Sequence, residues 1–378
     1  MQLQGSPSPS AGVVAVVTGT RRMSAHERAS ISALSGRLAA LLGRPYDGMH
    51  ALDTLSGRER DVACFVPDDT LDAAQADALG IRSPGQIYGG VVPHRFAATK
   101  LVSHPAVDAD AVVPDGWPRD LGKALADAVL PGFAVFTTDD ARRACRLLLE
   151  RGQVRVKPAR GIGGKGQAVV ASVDELEAVL EALPADELQR HGATLEQHLD
   201  DAATWSVGTA RCGALRIAYV GTQRSTRDRA GETAYGGSDL VVARGGFDAL
   251  LALPLADGAR DAAMRASSYH RAMMESFPGF FASRCNYDVV AGSDAAGRQV
   301  SGVLEQSWRI GGASPAELAA MEAFAADPSL QRLRARCHEV HGECTPPEGA
   351  AVCYRGDDPG TGPICKYAIV EAFDGRPA

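Results

Sequence analysis

Long hydrophobic runs are missing from this sequence, and none of its apolar stretches approaches the roughly 18 to 20 residues that cross a membrane. A basic segment ahead of an apolar one is also missing at the start, so residues 1–12 are interpreted as a disordered tail and not as a secretory signal. Basic residues form no block longer than a few positions, and the net charge is −7, from 39 basic and 46 acidic residues. We therefore expect a cytoplasmic protein with no nucleic-acid partner and no membrane partner.

Closely spaced cysteine pairs are missing as well, because none of the eight cysteines forms a C-x-x-C motif of the kind found in zinc modules. Cys64, Cys145, Cys212 and Cys285 lie singly in apolar segments, which is typical of buried free thiols. The C-terminal segment is richer in potential ligands, and the sequence leaves open whether they bind a structural metal or are scattered thiols and surface histidines. These residues are Cys337, His338, His341, Cys344, Cys353 and Cys365.

The chain is long enough, at 378 residues with 45% hydrophobic content, for two or three domains of roughly 100 to 200 residues. An apolar run at 13–17 predicts a buried strand, and Ser24 with Glu27 three positions later predicts the start of a helix. Further apolar runs at 62–66 and 87–92 predict two more strands. This pattern indicates an α/β lobe with parallel strand pairing.

Residues 154–170 are the most informative segment, since they predict a strand, a glycine-rich turn and a second strand, with Lys157 near the end of the first. Glycines allow backbone N–H groups to converge on an anion, and a lysine supplies the opposite charge. A dinucleotide-binding turn opens a helix, whereas apolar and β-branched residues follow this one. The segment therefore predicts a flap over phosphates. Its glycines are Gly161, Gly163, Gly164 and Gly166.

Farther along, residues 222–239 are interpreted as a polar loop. Its three arginines, Arg224, Arg227 and Arg229, are either solvated or in contact with an anionic substrate or a γ-phosphate, and the sequence leaves both open. Strands are predicted at 205–210 and 215–220, and a helix at about 257–275.

Two acidic residues, Asp288 and Glu305, lie on the neighbouring strands of a predicted final hairpin, so both carboxylates can point to one face. Hard cations such as Mg²⁺ are held by one or two carboxylates together with phosphate oxygens and waters. Taken alone, such acids are more often solvated or paired with Arg284 or Arg298. Together with the flap and two lysines, Lys100 and Lys157, they favour a metal site. Arg309 follows just beyond the second strand.

In their order, these features resemble the ATP-grasp superfamily, and specifically a bacterial branch of it. The matching elements are Lys100, Lys157 with its flap, a hinge strand at 196–199, Asp288, and residues 304–312, whose sequence is similar to the superfamily's E-x-N-P-R-x-G-G signature. The resemblance covers about residues 95 to 320. It implies an α+β fold in which two α+β lobes clasp ATP behind an N-terminal α/β lobe.

This resemblance leads us to expect five segments along the chain. They are a tail at 1–12, an N-terminal α/β domain at 13–95, an ATP-grasp lobe with the flap at 96–195, a C-terminal ATP-grasp lobe with the metal-binding hairpin at 196–330, and a Cys/His-containing segment at 331–378.

The resemblance also assigns roles to the matching residues. Lys100, Lys157 and the backbone of the four flap glycines would contact the ATP phosphates, and Glu196 with the backbone of Gln197 and Leu199 would contact adenine. Asp288, Glu305 and Ser307 would bind Mg²⁺. Lys157 and Arg309 would be catalytic, with Arg309 stabilising charge on the transferred phosphoryl group. Ser307 departs from the asparagine that the superfamily usually has.

The function implied is that of a carboxylate ligase, dependent on ATP and Mg²⁺, that forms an acyl phosphate from a small-molecule carboxylate and passes the acyl group to a nucleophile such as an amine. Two alternatives stay open: a small-molecule kinase of ATP-grasp type, and a catalytically weak ATP-binding regulatory protein. The second is kept because Ser307 stands where the superfamily usually has asparagine. The identity of the substrates and assembly into a homodimer are also left open.

Overall fold

The computed structural model describes residues 11–55, 62–159, 166–184, 186–229 and 231–373. The described chain opens with strand β1 (Gly12–Val17), helix α1 (Ala25–Leu42), β2 (Tyr46–Ala51), α2 (Leu52–Leu55) and β3 (Val62–Pro67). The three strands form a parallel sheet in the order β2-β1-β3. Ser24 and Glu27 form a reciprocal capping box at the start of α1, as predicted, and parallel pairing is confirmed.

The next segment consists of short elements. They are β4 (Leu71–Asp72), α3 (Ala73–Ala78), β5 (Gly90–Val92), α4 (Leu121–Leu125) and 3₁₀ turns at Pro84–Gln86, Arg95–Ala98 and Lys100–Ser103. The strand predicted at 87–92 is thus shorter than expected, and β5 pairs with β4 in a separate small sheet. Residue Ile87 makes a single bridge to Phe65 of β3, which explains its burial without a continuous strand.

A four-stranded sheet with the order β6-β9-β7-β8 follows. Its elements are β6 (Gly132–Val135), α5 (Thr138–Leu149), β7 (Val154–Pro158), β8 (Ala168–Val170), α6 (Val173–Glu181), α7 (Glu187–His191) and β9 (Ala193–Gln197). The strands on either side of the glycine-rich turn, β7 and β8, pair antiparallel, as the flap interpretation requires.

The largest layer is an eight-stranded sheet, in which the neighbouring strands pair antiparallel in the order β15-β14-β10-β11-β12-β16-β18-β17. Its segment of the chain contains β10 (Asp200–Cys212), β11 (Leu215–Arg227), β12 (Thr233–Arg244), α8 (Phe247–Leu251), α9 (Asp257–Ser276), β13 (Phe281–Ala282), β14 (Arg284–Ser293), β15 (Gln299–Ser307), α10 (Ser314–Ala326), β16 (Arg332–His341), β17 (Ala351–Asp358) and β18 (Gly362–Glu371). The short strand β13 instead pairs with β5.

The prediction of a polar loop at 222–239 is wrong. Strands β11 and β12 continue through most of this region, with Thr222 opposite Asp239 and Thr226 opposite Ala234. Their outer halves are only partly covered, so polar side chains on both faces remain compatible with a strand. Polarity alone therefore misled the prediction.

Helices cover both faces of the large sheet. Helix α9 packs the small side chains of Ala262, Ala263 and Ala266 onto a face that includes Val220 and Val289. On the other face, α10 and α1 share a core with alternate residues of the same strands. The sheet is thereby held between layers, and its hairpin β14–β15 is fixed on one edge.

The chain segments at the two ends of the described region contact each other. Helix α1 packs on β17, and Asp358 accepts a hydrogen bond from the backbone N–H of His26 at 2.9 Å. All eight cysteines are free, and all except the half-buried Cys344 are buried, which confirms the prediction for the four in apolar segments. Within the described ranges, no helix is both long and apolar enough to span a membrane.

Candidate functional site

The two acidic residues of the last hairpin face each other. Asp288 on β14 and Glu305 on β15 are direct cross-strand partners, and Asn286 and Ser307 form the next pair but one along the ladder. A register shift follows Asp288, so the hairpin is irregular at the acidic pair. Opposed residues of an antiparallel pair share one face of a sheet, and the two carboxylates therefore lie close together.

Neighbouring amides fix Asp288. Its Oδ1 accepts hydrogen bonds from Gln223 Nε2 at 2.7 Å and from Asn286 Nδ2 at 3.1 Å. Burial, and then the charge of Glu305, raises the pKa of Asp288 to about 7, against the two hydrogen bonds that lower it. A site whose carboxylates repel each other suits a divalent cation, which neutralises both. The donor set of Asp288, Glu305 and the Ser307 hydroxyl consists of the oxygen ligands that Mg²⁺ takes.

Lys100 reaches this acidic pair from a different part of the chain. Its Nζ lies 3.1 Å from Glu305 Oε2, and its side chain is 5% exposed. Gln306 holds the preceding turn against β15, since its Nε2 donates to the carbonyls of Ala97 at 3.1 Å and Thr99 at 2.7 Å. The pairing of the acids with Arg284 or Arg298 is not seen, because those arginines pair with Glu317 and Asp294.

Lys157 is held from the hinge strand. Its Nζ contacts Glu196 Oε1, and His104 Nε2 lies 3.1 Å from Glu196 Oε2. Burial opposes the charge on Glu196, but Lys157 and then His104 outweigh it and lower the pKa of the carboxyl to about 2. Both oxygens of Glu196 are thus occupied, and the residue expected to contact adenine orients Lys157 in this structure.

Only some of the other residues predicted to bind the nucleotide lie in the described part of the chain. Gly161, Gly163 and Gly164 lie outside the described residues, whereas Gly166 is described and has a φ of +74°. The backbone N–H of Gln197 donates to the carbonyl of Pro131 at 2.9 Å. Leu199, two residues beyond, is buried beside Leu130. The hinge segment is therefore held against β6 and the residues just before this strand.

Two adjoining cavities of about 420 and 390 Å³ open beside the acidic pair. They share Arg21, Glu305, Ser307 and Arg309. Burial, and then the charge of Arg21, lowers the pKa of Arg309. The structure thus brings Lys100, Glu305, Ser307 and Arg309 to one cavity wall, with Asp288 on the second cavity.

Sequence reasoning did not identify the residues with which the N-terminal lobe lines these cavities. Arg21, Arg22 and Asp69 line the larger one. They follow the carboxyl ends of β1 and β3, which are neighbours in a parallel sheet. Because residues just beyond the carboxyl ends of adjacent parallel strands commonly form ligand sites, this placement was the signal that could have identified them.

A buried ion pair lies directly behind the site. Arg284 NH2 is 2.7 Å from Glu317 Oε1, and the two side chains are 1% and 0% exposed. Tyr88 and Tyr219 add hydroxyl contacts to Glu317 at 2.8 and 2.6 Å. Arg284 NH1 also donates to the carbonyl of Ser307 at 3.0 Å. The pair therefore fixes the backbone at the end of β15.

The other polar residues noted in the sequence lie elsewhere. Arg224 donates to the carbonyl of Cys337 at 3.2 Å, and Arg227 donates to that of Gly231 at 2.8 Å. Neither these two nor Arg229 lines the two cavities. Among the described residues, no group of three or more His, Cys, Asp or Glu side chains could hold a metal ion, and this includes the C-terminal Cys/His segment.

Comparison with known proteins places the chain in a family. It belongs to the family described as "Protein of unknown function (DUF3182)", whose model matches residues 13–368. A search of curated proteins gives no significant match.

Among solved structures, the chain is similar to the phosphoribosylamine–glycine ligase of Thermotoga maritima, with a TM-score of 0.50, 12% identity, and coverage of 94% of this chain and 92% of that one. It is also similar to the D-alanine–D-alanine ligase of Bacillus anthracis, with a TM-score of 0.44, 13% identity, and coverage of 84% and 92%. The first of these likenesses shows an α+β ATP-grasp fold, which confirms the predicted fold class.

Proposed function

We propose that this protein is an ATP- and Mg²⁺-dependent ligase that activates a small-molecule carboxylate as an acyl phosphate and transfers the acyl group to a nucleophile such as an amine. The observation that carries the proposal is the acidic pair Asp288 and Glu305, in direct register and contacted by Lys100, beside a cavity lined by Arg309. In the ATP-grasp fold this is the combination that phosphoryl transfer requires: oxygen ligands for a metal and cations for phosphate.

Each residue has a defined task in this proposal. Asp288, Glu305 and the Ser307 hydroxyl hold Mg²⁺, which when bound supplies charge neutralisation at the phosphates. Lys100 is already positioned at Glu305 and contacts the phosphates. Lys157, held by Glu196, would meet the phosphates from the end of β7. Contact of the flap glycine backbone with the phosphates stays a prediction.

The chemistry explains why cations surround the reacting carboxylate. A carboxylate oxygen attacks the γ-phosphorus of ATP, so that a C–O–P link forms, the bond to the bridging oxygen breaks, and ADP leaves. The nucleophile then attacks the acyl carbon, its bond to that carbon forms, and inorganic phosphate leaves with the C–O electrons. An amine nucleophile loses a proton in this step, which goes to the departing phosphate. Arg309 stabilises the negative charge that builds up in both steps. Exclusion of water from the cleft would protect the intermediate from hydrolysis.

Adenine recognition by Glu196 and by the backbone of Gln197 and Leu199 remains part of the proposal. The pairing of Glu196 with Lys157 gives this carboxylate a second task, because it holds the lysine in place. The division of the chain at residues 95, 195 and 330 and the cytoplasmic location remain predictions.

A second candidate, a catalytically weak ATP-binding protein, is favoured by the surroundings of Ser307. Its hydroxyl has a shorter reach than an asparagine amide and lies 3.4 Å from Arg284 NH1. Asn286, its cross-strand partner, does not replace that amide, because its Oδ1 accepts from Ser206 at 2.8 Å and contacts the Tyr219 hydroxyl at 2.9 Å. A weakened metal site would bind ATP and turn it over slowly.

ADP release from Mg·ATP in the presence of hydroxylamine and a panel of carboxylates separates these functions. An acyl hydroxamate formed together with ADP supports the ligase. A phosphorylated acceptor without hydroxamate indicates a kinase, and tight ATP binding without ADP for every acceptor indicates the weak ATP-binding protein. Glu305→Gln should abolish Mg²⁺-dependent turnover, whereas Glu348→Gln, an exposed carboxylate outside both cavities, should leave it unchanged. Full turnover in Glu305→Gln would place the metal elsewhere.

A further inference from the structure

The cavity of about 420 Å³ has an excess of positive charge. Five basic side chains line it, against two carboxylates, Asp69 and Glu305. Some of the basic groups serve the proposed phosphoryl transfer, and the rest need another partner. The basic residues are Arg21, Arg22, Arg95, Lys100 and Arg309.

Two of these cations are already paired. Lys100 is 3.1 Å from Glu305. Arg95 contacts Asp69 and donates to the carbonyl of Thr70 at 2.6 Å. These pairs use both carboxylates that line the cavity. No carboxylate of the described cavity lining therefore remains to pair with Arg21, Arg22 and Arg309.

These three arginines are incompletely satisfied. Within the described ranges, neither Arg22 nor Arg309 forms an ion pair with a carboxylate, and Arg309 NH1 donates only to the carbonyl of Ile310, at 2.8 Å. Arg21 NH1 pairs with Glu27 at 2.7 Å, but its Nε is buried without a hydrogen-bond partner. Glu27 is itself committed to the cap of α1, where it accepts from the backbone N–H of Ser24.

The positions of Arg21 and Arg309 add a further constraint. They come from different lobes, and both line the two cavities. A buried guanidinium nitrogen without a partner costs free energy unless a ligand supplies an acceptor. Guanidinium groups bind carboxylate and phosphate in a forked geometry. An anion between the lobes would satisfy both requirements.

We infer that the acid substrate carries a second anionic group, a carboxylate or a phosphate, which binds at Arg21 and Arg22 while its reacting carboxylate lies between Arg309 and the Glu305 metal site. This inference rests on the proposed function and names the substrate class of that same site. A cavity of about 420 Å³ suits a small metabolite-sized acid, since ligand pockets of roughly 300 to 1,000 Å³ hold small molecules. An acid without the second charge leaves the Arg21 Nε unpaired and binds more weakly.

The test uses the full-length protein with Mg²⁺ and a non-hydrolysable ATP analogue. Calorimetry compares succinate, which has two carboxylates, with butyrate, a monocarboxylate of equal length, and with 3-phosphonopropionate, which carries the phosphate-like alternative. We expect succinate or 3-phosphonopropionate to bind at least about tenfold more tightly than butyrate. The tighter of the two shows whether the second anionic group is a carboxylate or a phosphate.

Variants locate the binding group. Arg21→Gln should weaken dianion binding about tenfold and leave the affinity for butyrate unchanged. Arg22→Gln provides a second variant, because this side chain is exposed and its loss leaves the cap of α1 intact. The matched control is Arg28→Gln, an exposed arginine of α1 outside both cavities, which should have no effect.

Failure of the inference differs from failure of the proposed function. Equal dianion affinity in Arg21→Gln and Arg28→Gln, or wild-type protein that binds neither dianion better than butyrate, overturns the inference. If butyrate then yields ADP and hydroxamate, the ligase proposal survives that result. Conversely, Arg21-dependent binding of a dianion without ADP release from any acid retains the anion site and removes the ligase function.

Discussion

Glu317→Gln should strongly destabilise this protein, because it leaves a buried arginine without its counter-charge. Glu317 is fully buried and receives Arg284 Nε at 3.1 Å on both of its oxygens, in addition to the Arg284 NH2 and tyrosine contacts. An amide keeps the shape of the carboxylate but has no charge, and its NH₂ group would face donors. The Arg284 side chain is 1% exposed, so water cannot replace the lost partner.

The magnitude follows from this burial. Removing one member of a buried ion pair costs about 3–5 kcal/mol, against a total stability of about 5–15 kcal/mol for a typical protein. The same substitution at Glu322 is the matched control, because Glu322 lies on the same helix, has a 36% exposed side chain and pairs with Arg37 at 2.6 Å. A partly exposed pair of that kind contributes about 0.2–1 kcal/mol.

Urea unfolding of the wild type and the two variants, followed by tryptophan fluorescence, gives the free energies of unfolding. The buried Trp308 lies between Ser307 and Arg309 and reports on the end of β15. ATP binding, measured on the same samples, shows whether the site loosens together with the fold. A loss below about 1 kcal/mol in Glu317→Gln, or a loss equal to that of Glu322→Gln, would refute the reasoning.

Three further predictions concern the nucleotide site, its pH dependence and the sheet. Lys157→Ala should raise the ATP dissociation constant about tenfold or more, while the exposed Lys123→Ala should not, and equal constants in a binding titration would contradict the phosphate role. The folded pKa of Glu196 is lowered from 4.5 to about 2, so its contribution to stability is present above pH 4.5 and is lost as the pH falls towards 2. Glu196→Gln should therefore make the free energy of unfolding less dependent on pH between these values, as measured by acid unfolding. Gly208→Ala should destabilise the protein by about 1–3 kcal/mol or more, since the added Cβ would lie 2.2 Å from a backbone oxygen. Gly36→Ala, in helix α1 with space around it, should instead stabilise the protein by about 0.5–1 kcal/mol. Thermal unfolding distinguishes the two signs.

The sequence allowed the fold class to be predicted where patterns were strong. The capping box at Ser24 and the apolar run of β1 indicated an α/β opening, and the flap and the acidic hairpin indicated the ATP-grasp fold. Strand β2 escaped notice because its residues, Tyr46–Ala51, include aspartate, glycine and histidine without apolar alternation. The outer halves of β11 and β12 escaped for a related reason, since pairing in the sheet, and not burial, stabilises them.

Within the candidate site, the sequence indicated the charged residues but not their partners. The proximity of Asp288 and Glu305 could be inferred from the hairpin alone. The contact of Lys100 with Glu305 joins residues far apart in the chain, and no local pattern contains that information. The same holds for Arg21, whose approach to Arg309 depends on how the N-terminal lobe sits on the large sheet.

The contact between α1 and β17 has a consequence for synthesis on the ribosome. His26, near the start of α1, donates its backbone N–H to Asp358, which is 332 positions later. At about 5–20 residues per second, Asp358 is synthesised roughly 17 to 66 seconds after His26. Until then, the apolar side of α1 that meets β17 is uncovered in the nascent chain. We therefore expect the N-terminal lobe to complete its folding last, and a chain that stalls before β17 to be a substrate for chaperones.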